Sequence, residues 1–252
     1  MLIDTHCHIH EPYELPIDEV LQRATEAGVV EYICVGTSET SSKLAIDFAE
    51  AHAGAYAVIG VHPHDTKDGY SAIDDLAGTS SKIVAIGEIG LDYFYTHSSR
   101  EVQMEALEAQ IQIALKHDLP IIFHVREAFD DFWPIFDKYP GIRGELHSFT
   151  DSSANLQMAL DRGLYIGVNG ISTFTKDEMQ KNTFDSIPLN RLLLETDAPF
   201  LTPAPLRGKV NEPAYVKLVA EYHANRRGLP LKSIADATTT NARTVFKLTT
   251  LS

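Results

Sequence analysis

The sequence predicts an α/β protein, a single (β/α)8 TIM barrel with extra closing C-terminal helices. Short apolar runs rich in Val and Ile recur at 2–4, 32–35, 56–61, 83–87, 121–125, 143–147, 164–168 and 192–195. Segments of helical period lie between most of these runs, the alternation that parallel βαβ units produce. Eight right-handed units suit a closed barrel better than an open sheet. A length of 252 residues is enough for one such domain, 1–252.

Taken in order, the run 2–4 opens the first strand and leads directly into DTHCHIH. Helical segments at 17–27 and 39–52 precede the second and third runs respectively. The clearest helix is 100–117. Met104, Leu107, Ile111, Ala114 and Leu115 share one stripe there, with Glu101, Glu105 and Glu108 off it. FDDFWPIF, with Phe132 and Trp133, reads as core helix before it reads as a base-stacking surface. Further helices are expected at 152–162 and 212–227, with Asn211 and Glu212 at the start of the latter. Segment 230–247 closes the chain as one or two helices, with Thr239 or Thr240 as a cap.

Composition excludes several classes. With 44% hydrophobic and 22% charged residues, the chain is globular and neither disordered nor collagenous. Its longest apolar runs, such as AYAVIGV at 55–61, fall far short of the roughly 20 residues of a membrane span. LIDTH carries no basic, apolar export signal, and Cys7 and Cys34 are too few for a disulfide framework. A cytoplasmic protein with no membrane association and no obligate protein partner is expected. Thirty-five acidic against 21 basic residues give a net charge of −14, with no basic stripe for long polyanions. Any hold on a polyanion must be local, through a few Arg and Lys or bound cations.

Barrel active sites form at the carboxyl ends of the strands. Those positions hold Asp4, His6 and His8; His62 and His64; Glu88; His124 and Arg126; His147; and Glu195 with Asp197. Imidazole and carboxylate without thiolate suit a catalytic Zn, Mn, Ni or Fe. His6 and His8 are two apart on a strand and face the same way, whereas Cys7 between them faces the barrel wall. So many donors exceed the needs of one open metal and suffice for two, with Glu88 as a bridging carboxylate. Phosphate loops, dinucleotide fingerprints, the G-x-S-x-G elbow and H-E-x-x-H are absent from the sequence.

DTHCHIH at 4–10, GVHPH at 60–64, AIGEIGLDY at 85–93, LPIIFHVREA at 119–128, HSF at 147–149, LLLETDAPFL at 192–201 and NEP at 211–213 carry a family likeness. In this order, they resemble the TatD-type metal-dependent deoxyribonucleases over essentially the whole chain. The resemblance implies a TIM-barrel hydrolase of DNA phosphodiesters, often a 3′-to-5′ exonuclease, with two divalent ions (Zn, Mn, Mg or Ni). It implies a metal shell of His6, His8, Glu88, His124, His147 and Asp197, with Asp197 and Glu88 as catalytic carboxylates. Short or single-stranded DNA ends are the expected substrate. Candidates for substrate contact are His62, His64 and Arg126, with loop packing and an acidic ion pair as the respective plain alternatives. Arg207 and Lys209 form either a basic lip or a solvated turn. Ser148, Asp151 and Lys209-Val210 depart from the family pattern, which bears on substrate preference more than on metal binding. The competing reading is an amidohydrolase-type C–N or ester hydrolase of a small molecule. Glu88 stands where such barrels often carry a carboxylated lysine, and no lysine is available at a strand end.

Overall fold

The computed structural model describes residues 1–95 and 97–248; the end of the expected domain, 249–252, lies outside them. The elements run β1 (Leu2–Cys7), α1 (Ile17–Ala27), β2 (Val29–Val35), α2 (Glu39–Ala51), β3 (Ala55–Ile59), α3 (Ala72–Leu76), β4 (Ile83–Asp92), α4 (Arg100–Lys116) and β5 (Ile121–Arg126). They continue with α5 (Phe129–Phe136), β6 (Gly144–Leu146), α6 (Ser153–Asp161), β7 (Tyr165–Val168), α7 (Ile171–Phe174), α8 (Glu178–Ser186), β8 (Leu192–Leu194), α9 (Val216–Arg227) and α10 (Leu231–Phe246). Among the described residues, the strands form one eight-stranded sheet in chain order, β1 to β8. Past the end of β8, Ala198 bridges Cys7 in parallel, and Thr5 Oγ1 donates to Leu194 O at 3.2 Å, so β8 returns to β1. This is the (β/α)8 barrel expected from the alternating runs.

The chain divides into two compact units, residues 1–33 with 148–252 and residues 34–147. In the first, α10 presents Ile234, Ala235, Ala242, Val245 and Phe246 to the interior. Thr239 and Thr240 are not caps. They lie inside α10, where Thr240 Oγ1 bonds back to Asp236 O at 2.8 Å and Pro230 precedes the first turn. Thr240 thus satisfies its hydroxyl on the preceding helical turn, and Thr239 Oγ1 donates to Met1 O at 3.1 Å, so neither interrupts the helix. Pro213–Tyr215 forms a 3-10 turn, and α9 starts only at Val216. Helices α7 and α8 had no counterpart among the expected helices.

The second unit holds β3 to β6 with α2 to α5. Ser38 and Ser99 cap α2 and α4 by accepting the N–H of Ser41 and Val102. Phe129, Phe132, Trp133 and Phe136 of α5 are buried, with Phe132 packing on Phe123 of β5, so FDDFWPIF is core as expected. Strand β4 runs five residues beyond the expected 83–87. It pairs with β5 as Gly90↔His124, Leu91↔Val125 and Asp92↔Arg126, with a register shift between Ile86 and Ile89. Only glycine fits at 90: its φ is +152°, and a Cβ there would stand 1.8 Å from His124 O.

Helix α4 buries Leu107, Ile111 and Ala114 of the expected stripe, but its buried face is shifted towards Gln103 and Gln110. Gln103, Ala106, Leu107, Gln110, Ile111 and Ala114 are buried, whereas Leu115 is 36% exposed. Both glutamines answer backbone groups at strand ends. Gln110 Oε1 accepts from Val61 N at 2.8 Å and its Nε2 donates to Val61 O at 3.2 Å. Gln103 Oε1 accepts from Asp92 N at 2.8 Å, and its Nε2 donates to Asp92 O and Ser98 O, each at 3.0 Å. Gln103→Leu is expected to leave three buried backbone groups unpaired and to cost about 1–3 kcal/mol. Leu115→Gln on the exposed side should stay within about 0.5 kcal/mol. Urea denaturation of both variants checks the ranking, and equal losses would contradict it.

Candidate active site

Each compact unit carries a converging group of imidazoles and carboxylates at the carboxyl ends of its strands. In the first unit, the alternation of β1 turns His6 inward, and His8, just past the strand, follows it. Backbone pairing delivers their partner. Asp197 N donates to His6 O at 2.8 Å, and His8 N donates to Ala198 O at 2.7 Å. Asp197 adopts φ +59°, a left-handed conformation that Asp tolerates better than most side chains. His6 Nε2 and His8 Nε2 stand 3.2 Å apart, and Asp197 Oδ1 lies 3.7 and 3.4 Å from them.

Two donors about 2.0–2.1 Å from one tetrahedral ion are about 3.3 Å apart, and about 3.0 Å apart around an octahedral one. The triangle of His6, His8 and Asp197 has edges close to that size and a donor set that divalent ions accept, so these residues fit a metal. Beneath it, Asp4 accepts from Thr196 N at 2.8 Å and from Thr196 Oγ1 at 2.6 Å. Burial raises its carboxyl to about 8 despite those bonds, and both of its oxygens are taken up by Thr196, so Asp4 braces the residue before Asp197. His10, which the strand-end pattern passes over, is also buried. Burial first, and then the neighbouring His8 and His6, hold it down to about 3.

In the second unit, the register shift in β4 falls where Glu88 stands, and such an irregularity re-aims a side chain. Glu88 Oε1 lies 2.7 Å from His124 Nδ1, 3.5 Å from His147 Nε2 and 3.7 Å from His62 Nε2. These separations also fit ligation, with Glu88 as the common member. A second carboxylate, Asp92, takes His64 Nε2 at 3.1 Å and His124 Nε2 at 3.0 Å on its Oδ2. Both nitrogens of His124 thus face carboxylates. Burial lowers its pKa, but the bonds to Asp92 and Glu88 prevail and carry it up to about 8. Burial drives His62 down to about 3. Asp92 is pushed up by burial, yet the bonds from His124 and the Tyr95 N–H hold its carboxyl well below the usual range.

The remaining candidates separate cleanly. Arg126 ends β5 exposed, and its guanidinium has no acidic partner among the described residues; it lies 3.8 Å from the centre of the Phe94 ring. Cys7 is fully buried, with Sγ on Ile33 O at 3.4 Å, and belongs to the wall. Glu195 accepts from Ser148 N at 2.8 Å and Asn169 Nδ2 at 3.1 Å, so it braces the loop after β6. Ser148 turns its hydroxyl to Asn169 Nδ2 at 2.8 Å, and Asp151 Oδ1 accepts from Asn155 Nδ2 at 2.6 Å. Asn211 ties down Thr196 O and Phe200 O, and Glu212 accepts a forked pair from Arg23. Arg207 is exposed, donates to Thr202 O at 2.8 Å and holds its guanidinium 3.9 Å from the Phe174 ring centre. The residues that sequence reasoning passes over are Asp92, Gln103 and Gln110. Asp92 lay in view within GLDY, at the end of a strand that was read as too short.

A (β/α)8 barrel with imidazole and carboxylate clusters at its strand ends defines the class of metal-dependent hydrolases. The sequence matches the family model described as "TatD related DNase" over residues 3–247. It is 38% identical over 255 residues to "Uncharacterized metal-dependent hydrolase YabD" of Bacillus subtilis, covering 98% of this chain and 100% of that protein. It is 37% identical over 243 residues to "3'-5' ssDNA/RNA exonuclease TatD" of Salmonella typhimurium, covering 92% and 93% of the two chains. The crystal structure of YjjV, a TatD homologue from Escherichia coli K12, superposes with a TM-score of 0.90 at 31% identity, covering 98% of each chain. The chain belongs to the TatD family and is a metal-dependent hydrolase acting on ester bonds. No helix among the described residues is long and apolar enough to cross a membrane.

Proposed function

We propose that the protein is a deoxyribonuclease, a 3′-to-5′ exonuclease that hydrolyses phosphodiester bonds at single-stranded or frayed DNA ends. The observation that carries this reading is the His6–His8–Asp197 triangle, whose donor spacing suits a divalent ion. The Salmonella relative's name and the unpaired guanidinium of Arg126 support it. The net charge of −14 disfavours long duplexes and favours ends or short strands.

His6, His8 and Asp197 would hold one divalent ion, and Glu88, His124 and His147 a second. Ions bound there would supply Lewis acidity and a water acidified towards neutrality. Asp197 orients the attacking water and accepts its proton at the carboxylate. Glu88 serves as a ligand and keeps His124 in place through Nδ1. His62, His64 and Arg126 contact the phosphate, Arg126 through charge-assisted N–H donors.

Elemental analysis of the purified protein, followed by cleavage of DNA strands labelled at either end, tests the reading. Stepwise loss from the 3′ end is expected. Turnover of amide or carboxylic ester substrates, with no metal-dependent cleavage of any strand, would overturn it in favour of the C–N or ester hydrolase. Two ions per chain are expected, and His6→Ala with His8→Ala should empty mainly one position, leaving the Glu88 group loaded. An unchanged metal count in the double variant contradicts the assignment. Asp197→Asn keeps size and one oxygen ligand but loses basicity. Its turnover at saturating Mn or Zn should fall by about 10²–10⁴-fold, with melting temperature preserved. Arg126→Ala should retain its metals and lose about 1.5–3 kcal/mol of phosphate contact, roughly tenfold to hundredfold in kcat/KM. Loss of metals or of the fold instead would make Arg126 a structural residue.

A further inference from the structure

The turn that follows β4 exposes two large aromatic rings. Phe94 is 49% and Tyr95 43% exposed, with ring centres 4.7 Å apart at 84°. The exposed guanidinium of Arg126 lies 3.8 Å from the centre of Phe94 and 5.1 Å from that of Tyr95. His97 stacks on Tyr95 at 5.8 Å, and His64 meets it edge-on at 5.3 Å.

Hydrogen bonds tie the described residues of the turn to the cluster beside it. Asp92 Oδ1 accepts the N–H groups of Phe94 and Tyr95 at 3.0 and 3.1 Å, while its Oδ2 faces His64 and His124. Tyr93 N donates to Arg126 O at 3.0 Å, and Ser98 Oγ donates to His64 O at 2.8 Å. Gln103 clamps both ends of the turn from beneath.

We infer that Phe94 and Tyr95, with Arg126, form a stacking shelf for an unpaired nucleobase of a single-stranded nucleic acid end; this rests on the nuclease reading above. A guanidinium lying flat on a ring keeps its in-plane N–H groups available for a phosphate. An aromatic face beside such a cation suits a flat base joined to an anion. Every base has a π-face, so the shelf tolerates any sequence. A base inside a duplex has both faces covered by its neighbours, so the shelf selects single strands and frayed ends. The bond network through Asp92 keeps the shelf in a set place relative to His64 and His124.

The test compares the wild type with Phe94→Leu/Tyr95→Leu and with the aromatic-conserving exchange Phe94→Tyr/Tyr95→Phe. The probes are a short DNA strand carrying 2-aminopurine near its 3′ end and the same strand made abasic at that end. The leucine pair should raise KM on the base-bearing strand by about five- to hundredfold with kcat nearly unchanged, and the exchange variant should restore it. On the abasic strand, all three proteins should share one KM. In an Asp197→Asn background, which slows turnover, 2-aminopurine emission should be quenched on binding and the leucine pair should abolish the quenching. If the wild type cleaves DNA but the leucine pair keeps its KM and its quenching, the shelf is refuted and the nuclease reading stands. The shelf is also refuted if the exchange variant fails as badly as the leucine pair. If the metal-loaded wild type neither cleaves nor quenches any strand, both readings fall.

Discussion

The site depends on one constraint: buried backbone N–H and C=O groups at the ends of barrel strands must find partners. A parallel ladder satisfies strand interiors, but strands that end to present ligands leave polar groups behind. Here buried side chains take them up. Ser42 Oγ serves both the N–H and the C=O of Gly60, Gln110 serves Val61, Gln103 serves Asp92, and Asn211 serves Thr196 and Phe200. Each of these polar residues sits just behind a residue that faces the chemistry, so the chain segments carrying His62, Asp92 and Asp197 are held by bonds their neighbours make. Helices α2 and α4 thus cover the strands and also answer the backbone at the ends of β3 and β4.

Carboxylates divide the electrostatic work. Asp4, buried within β1 with Thr196 as its partner, is raised to about 8 by that burial and braces Thr196. Asp92 stays ionised despite burial because imidazole and backbone N–H groups surround it, and it therefore keeps His124 charged in the metal-free protein. The overall charge is strongly negative, and the cation best placed for a polyanion, Arg126, rests on an aromatic ring and has no acidic partner among the described residues.

Much of this was legible in the residues. Apolar runs alternating with helical periods specify βαβ units because strand and helix burial impose different periods. The i, i+2 spacing of His6 and His8 follows from the pleat alone, and histidines at successive strand ends mark the mouth of a barrel. The burial of Phe132 and Trp133 was likewise readable from their helical spacing. What periodicity missed was polar residues doing buried work: the apolar stripe on α4 does not include Gln103 and Gln110, which are buried, and does include Leu115, which is exposed.

Three features needed the folded chain. The register shift in β4 depends on which residues of β5 lie opposite, and it decides both where Glu88 points and that the strand continues to Asp92. The pairing of Asp197 with His6, some 190 residues earlier, is a backbone contact between sequence-distant segments. The partners of Asp92, with imidazoles on one oxygen and the aromatic turn on the other, come from separate strand ends. Local sequence encodes which side of a strand a residue faces, because that depends on the pleat. It does not encode which donor stands opposite, because that depends on register and strand length, which are settled only when neighbouring strands pair and their stranded backbone groups find partners.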